Sequence, residues 1–270
     1  MLPMLSKIMK VATGLPRWAG QRPAYLLFVA GDEELSRQSP ERFERAWLET
    51  MLLSLLWGWA AVQIWSLTWS VFGDYSGIPL MPVASVLTVM VLWPYRRGVL
   101  ALAEVVCPKE GHRPMAVGVI LAGMVLMWLG LKSWNPDFPT HLPPAWQWLR
   151  PRTMFRALML APLWGGWSML VACLLCKPSA AATPPVVSAY ARGCSPPAAA
   201  AVLAVVLSAT IVYFNHLPWR QLSISVVAMG VAAVSGPVIC RQRGGLDRNV
   251  LLGANLLTQL AFLLAYLANR

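Results

Sequence analysis

Charge is scarce in this chain. Charged residues make up 12% of its 270 positions, about half the share a soluble domain carries. Acids are scarcer still, with 11 Asp and Glu against 22 Lys and Arg. His112, His141 and His216 are isolated, and no His–Cys or His–carboxylate spacing of a metal site occurs. The cysteines, Cys107, Cys173, Cys176, Cys194 and Cys240, are odd in number and scattered among apolar segments, which argues against a disulfide framework. Cys173 and Cys176 form a CxxC inside an apolar run, without a second pair, and read as small apolar residues packing in a helix. A Walker-type phosphate loop and a GxSxG elbow are both missing. So are an internal repeat and an inverted pair of broken helices, which weakens a transporter reading.

What is present is apolar and long. Hydrophobic residues reach 57%, in uncharged runs that can satisfy their own backbone hydrogen bonds as helices in lipid. The pattern predicts an all-α, polytopic transmembrane bundle of about seven spans, at Met51–Phe72, Ile78–Trp93, Met115–Leu131, Ala157–Cys176, Ala198–Phe214, Gln221–Cys240 and Val250–Leu267. The second is the shortest and has Pro79 and Pro82 in its first turns; if it is re-entrant, every later loop changes side. The charge distribution favours crossing. With seven spans and the N-terminus in the cytoplasm, only Lys132, Arg150, Arg152, Arg156, Arg220 and Arg270 of the 22 basic residues face outward, as the positive-inside rule requires. The expected location is the cell (inner) membrane, multi-pass, with the C-terminus on the side opposite the N-terminus. The net charge of +11 is then an affinity for anionic headgroups, not for nucleic acid.

Residues 1–50 read as a cytoplasmic basic arm with an amphipathic helix, and 51–270 as the membrane domain. The arm lacks the apolar core and cleavage site of a secretory signal. Pro23–Ala30 is too short to cross and should lie against the membrane or another helix. A helix is expected from Ser39, with Ser39 as N-cap, Pro40 in the first position and Glu41 four residues before Arg45, running on into the first span. Gly98–Val106 should lie at the cytoplasmic surface. Lys132–Thr153, rich in Pro and Trp, should be irregular, and the Ala-, Ser- and Pro-rich Lys177–Pro197 flexible. Ala204/Ser208 and Ala232/Gly236 have the small-xxx-small spacing that lets helices approach closely. Tryptophans near span ends, Trp219 among them, suit the interface.

The spans as drawn hold no Asp, Glu, Lys, Arg or His, which argues against a proton pump, a charged filter or a voltage sensor. Chemistry should therefore sit on loops. Asp32, Glu33 and Glu34 cluster ahead of the first helix, and Glu41, Glu44 and Glu49 decorate it; Glu104 and Asp247 stand singly. The informative constellation is Arg241-Gln-Arg-Gly-Gly-Leu-Asp-Arg-Asn249, between two spans. Gly244 and Gly245 permit a tight backbone with exposed amides. Arg241, Arg243 and Arg248 add positive charge, and the next helix starts near Asn249. Together with Asp247 and, from the preceding loop, Arg192, these could hold a phosphate at a helix N-terminus. The alternative is a glycine turn flanked by positive-inside arginines.

Residues 155–270 carry three segments that resemble the cobalamin synthase family, adenosylcobinamide-GDP ribazoletransferase. Gly244-Gly245-Leu246-Asp247, reaching Gly253-Ala254 before a terminal span, resembles its GGxTGDxxGA signature. Leu160-Ala161-Pro162 to Met169 is similar to its LAPxxxRWxM helix, and Tyr190-Ala191-Arg192 to its YAR segment. Asp247 stands where the family has Thr, Gly166 where it has Arg, and the first half holds no DGxxDxxD-type motif. The resemblance implies a transferase that joins α-ribazole to adenosylcobinamide-GDP with release of GMP. It implies Mg²⁺ only where that activity is retained; no other cofactor is evident. The other reading is a non-catalytic membrane scaffold or subunit, with the bilayer and a membrane-protein partner or a second copy as its contacts.

Overall fold

The computed structural model describes residues 22–72, 84–86, 95–107, 110–132, 153–178, 183–214 and 219–269. Among them every regular element is helical. Two short helices, α1 (Pro23–Val29) and α2 (Asp32–Ser36), precede a 3₁₀ turn at Pro40–Phe43 and the long α3 (Ala46–Phe72). Then follow α4 (Arg96–Val106), α5 (Arg113–Lys132), α6 (Thr153–Leu175), α7 (Pro185–Gly193), α8 (Pro196–Tyr213), α9 (Arg220–Arg243) and α10 (Arg248–Ala268).

Five of these, α3, α6, α8, α9 and α10, are long and apolar enough to cross a membrane. A helix of about 20 residues spans roughly 30 Å, the thickness of the hydrocarbon core. The third expected span is α5, whose apolar stretch, Arg113–Met127, is shorter. The second, Ile78–Trp93, falls outside the described residues apart from 84–86, as do the arm 1–21 and most of the loop 132–153.

Helix α6 is the hub. It packs on α3, α8, α9 and α10, and 78% of its membrane window is buried, against 17% for α8 at the rim. Glycines set how closely its neighbours come. Gly58 on α3 lies against the backbone of Met159, and a Cβ at Gly165 would stand 2.9 Å from the Asn255 carbonyl of α10 and 2.7 Å from Gln259 Cγ. Gly236, of the second small-xxx-small pair, faces Ala172 in the same way. In lipid, where apolar burial gives helices no reason to associate, such close contact and interhelical hydrogen bonds hold the bundle. The first pair behaves differently: Ala204 and Ser208 are exposed on α8. An aromatic seam fills the space between α6, α8 and α10. Phe262 stacks on Trp164 and Phe214, and Phe214 on Tyr266, at centroid distances of 5.0–6.1 Å. The Trp164 indole donates to Thr210 Oγ1 at 3.1 Å and that of Trp167 to the Ala199 carbonyl at 3.0 Å. Trp219, by contrast, is exposed.

Several local expectations are corrected. Ser39 makes no side-chain cap; the chain passes through the 3₁₀ turn and the α-helix starts only at Ala46. Tertiary contact overrides the local signal, since Phe43 is fully buried and Gly193 packs against the Glu44 backbone. The segment 177–197 contains the helix α7, which turns Val186, Val187, Ala189 and Tyr190 inward. Pro185 in its first turn supplies the fixed φ that suits a helix start. Gly98–Val106 belongs to the amphipathic α4, laid against α10 with Gly98 over the Leu252 carbonyl. Asp32, Glu33 and Glu34 form the first turn of α2, where carboxylates oppose the positive end of the helix dipole. Arginines also bracket the spans from within the fold. Arg156, in α6, is 3% exposed and donates to the Tyr213 carbonyl at 2.9 Å.

Candidate functional site

The loop between α9 and α10 is built by two helix ends. Helix α9 stops at Gly244, which adopts the left-handed conformation (φ 75°) that a side chain would disfavour. The amides of Gly244 and Gly245 both turn back to the Cys240 carbonyl, closing the last turn. Three residues on, Asp247 caps α10: its Oδ1 accepts from the Val250 amide at 2.8 Å. The glycine amides and the helix N-terminus are thus engaged within the chain.

The arginines are engaged too. Arg243 donates through Nε to Asp247 Oδ2 at 2.6 Å and through Nη1 to Glu104 Oε2 at 2.9 Å. Glu104, near the end of α4, also accepts from Asn249 Nδ2 at 3.4 Å and stands 3.7 Å from Arg113 at the start of α5. Arg243 and Asn249 therefore meet on Glu104, a residue the sequence offered only as a singleton, and Asp247 joins them through Arg243. Beside them opens a cleft of about 590 Å³ lined by Glu104, Val105, Arg113, Gln242 and Arg243.

Arg248 points the other way. It is 5% exposed and donates to the Leu26 and Leu27 carbonyls and, at 3.0 Å, to Asp32 Oδ1. Arg97 reaches the same Asp32 at 3.3 Å. This pins α1 and α2 onto the start of α10 and satisfies the Leu27 carbonyl, which the end of a short helix would leave bare, while that of Leu26 also accepts the Ala30 amide. Arg192 lies apart, paired with Glu44 at 3.3 Å where α7 meets the end of the 3₁₀ turn. Arg241 is exposed. Among the described residues, no three His, Cys, Asp or Glu stand close enough to hold a metal ion. The two acids beside the loop, Glu104 and Asp247, both bind Arg243, so this donor set does not match a Mg²⁺ site, which wants free carboxylate oxygens.

Deeper in the bundle, a polar column crosses from α4 to α6. Tyr95 donates its phenol proton to Gln259 Oε1 at 2.6 Å, Gln259 Nε2 donates to Asn255 Oδ1, and Asn255 Nδ2 lies 3.4 Å from Met169 Sδ. All are buried. An adjoining void of about 20 Å³, bounded by Pro162, Leu158 and Tyr95, holds at most a single water. Near the α7 end, the Tyr190 hydroxyl donates to Thr50 Oγ1 at 3.2 Å, and burial pushes this phenol well above its usual range. Cys173, Cys176 and Cys194, all free thiols, are buried in the same region.

The five apolar helices fit a multi-pass integral membrane protein. Comparisons of the chain with protein-family models, with curated proteins and with solved structures find no match.

Proposed function

We propose that this chain is a non-catalytic membrane scaffold, a subunit of an inner-membrane assembly, keeping a helical frame similar to that of cobalamin synthase. The observation that carries this reading is the state of the α9–α10 loop. Asp247 occupies the helix N-terminus, Arg243 is bound by Asp247 and Glu104, and Arg248 serves the α1 carbonyls. A Mg²⁺-dependent diphosphate reaction needs carboxylates free to ligate and donors free to neutralise.

The N-terminus is cytoplasmic in this reading, and the C-terminus lies on the opposite side. Support comes from where the bases gather. Arg22, Arg97, Arg192, Arg243 and Arg248 join one end of the bundle through their ion pairs. Arg156 and Arg220 cap the other, on Tyr213 and Asn269. The richer end faces the cytoplasm under the positive-inside rule.

The transferase reading keeps one observation in its favour, the convergence of Glu104 and Asp247 beside an open cleft. Expression in a cell lacking the ribazoletransferase decides between them. The scaffold reading expects no restored cobamide synthesis. Restoration that is lost with Glu104→Gln or Asp247→Asn would establish the enzyme instead. Native mass spectrometry after mild extraction is expected to find the 29.6 kDa chain bound to a second protein or a second copy.

A further inference from the structure

We infer that Cys176 and Cys240 are a redox-active thiol pair, a modification site that closes to a disulfide between α6 and α9. The inference rests neither on the scaffold reading nor on the orientation of the chain. In the sequence, Cys173 and Cys176 form a CxxC without a second pair; the fold brings that second pair from elsewhere. Cys173 turns to Cys194, just past the end of α7, and Cys176 turns to Cys240, in the last turn of α9. Each stands within reach of a side-chain hydrogen bond to its partner. The two thiols of the CxxC are thus shared out between two neighbouring elements.

Helix register supports the pairing of Cys176 with Cys240. Helices α6 and α9 touch where Gly236 lies on Ala172: a Cβ at Gly236 would stand 2.8 Å from that of Ala172 and 3.7 Å from Cys176 Sγ. Cys176 and Cys240 each lie four residues beyond this contact, one turn further along two helices that run the same way. The Cys176 amide donates to the Ala172 carbonyl at 2.9 Å, so the helical path continues as far as the thiol. Side chains lean toward the start of their helix, which carries both sulfurs back toward the bare Gly236. A disulfide needs Cβ atoms about 3.5–4.5 Å apart, and helices at the usual separation of about 8–10 Å seldom offer it. A glycine contact one turn away does.

Exposure divides the roles. Cys240 is partly exposed and Cys176 is buried. Lys177 and Arg241 follow them directly in the chain, so the pair lies where the apolar spans end and reagents arrive from water. The oxidant that suits this arrangement is a low-molecular-weight disulfide. The Cys240 thiolate attacks one of its sulfurs, which forms a mixed disulfide and releases one small thiol. Cys176 then gives up its proton and attacks Cys240 Sγ, and the second small thiol leaves. Two protein thiols are oxidised while one small disulfide is reduced to two thiols. The bridge ties α9 to the hub helix beside the turn at Gly244, whose amide rests on the Cys240 carbonyl.

The test treats the folded full chain in detergent with glutathione disulfide. Remaining thiols are then blocked with N-ethylmaleimide in denaturant, and the digested chain is mapped by mass spectrometry. A linked peptide joining Cys176 to Cys240, lost on reduction, is expected in preference to linkage of either residue to any other cysteine. Cys176→Ser should leave glutathione held on Cys240, an adduct that the parent chain does not retain, because nothing then displaces it. Cys240→Ser should abolish the linked peptide and leave Cys176 unmodified. Cys173→Ser should leave the bridge as it is. Linkage of Cys176 to Cys173 instead, or a bridge that forms only when the oxidant meets the denatured chain, would overturn the inference. So would a Cys176→Ser chain that carries no glutathione on Cys240.

Discussion

Arg248 allows the sharpest separation of two kinds of stabilisation. Its guanidinium is buried and donates to two carbonyls of α1, Leu26 and Leu27, and to one carboxylate, Asp32, whose side chain is 84% exposed. The carboxylate bond resembles a surface ion pair and should contribute under about 1 kcal/mol. The carbonyl bonds have no water to replace them, and a hydrogen bond to a charged group is worth about 1.5–3 kcal/mol. Arg248→Met, which fills the volume but removes both bonds and leaves the Leu27 carbonyl bare, while Leu26 keeps the Ala30 amide, is therefore expected to cost about 3–5 kcal/mol. Asp32→Ala should cost less than about 1 kcal/mol. For a chain of this size, 1 kcal/mol shifts the melting temperature by roughly 2–4 °C. The methionine variant should thus melt some 6–20 °C lower in detergent, and the alanine variant within about 4 °C of the parent. Equilibrium unfolding in mixed micelles gives the energies directly. If the two variants lose equal stability, or Arg248→Met loses less than about 1 kcal/mol, the assignment of Arg248 as a cap for α1 is wrong.

Asp247→Ala should lose about 1 kcal/mol or more in the same measurement, while Asp247→Asn, still a good N-cap, should keep most of the capping share. Gly165→Ala would drive a methyl group into the Asn255 carbonyl and Gln259, with a cost of about 1–3 kcal/mol; Gly118→Ala, which meets nothing, should be neutral or stabilise slightly by helix propensity. Tyr190 predicts a loss at alkaline pH. The folded phenol keeps its proton above the unfolded value of about 10, so its contribution is complete below that pH and falls as pH rises further, by up to about 1.4 kcal/mol per unit. Melting curves from pH 8 to 11 should show this fall, and Tyr190→Phe should make it shallower by the share of one phenol, at a cost of about 1 kcal/mol.

Helix identity and the apolar runs were legible in the sequence, because burial in lipid forces backbone hydrogen bonds inside each segment and the composition advertises it. Five of the expected spans are found as helices of spanning length. Gly244 as a turn and Gly236 as a contact point were legible for the same kind of reason, a local requirement met by a single residue type. Partnership was not. Glu104 looked solitary because its partners Arg243 and Asn249 lie 139 and 145 positions away. Arg248 looked like a headgroup-facing base because the carbonyls it serves are 221 and 222 residues upstream. The helix α7 was hidden by a composition of Ala, Ser and Pro, which suits a loop as well as a short helix whose valines and tyrosine find a surface to cover.

The polar column bears on how the chain is made. Tyr95 finds its acceptor in Gln259, 164 residues later. A ribosome adding about 5–20 residues per second needs roughly ten to thirty seconds to supply it. During that interval α4 has no finished seat, and neither do the carbonyls of α1 that await Arg248. Helix α10, made after the elements it serves, thus locks α1 and α4 in place, and a chain cut short before it would leave Tyr95 and the Leu27 carbonyl without these partners.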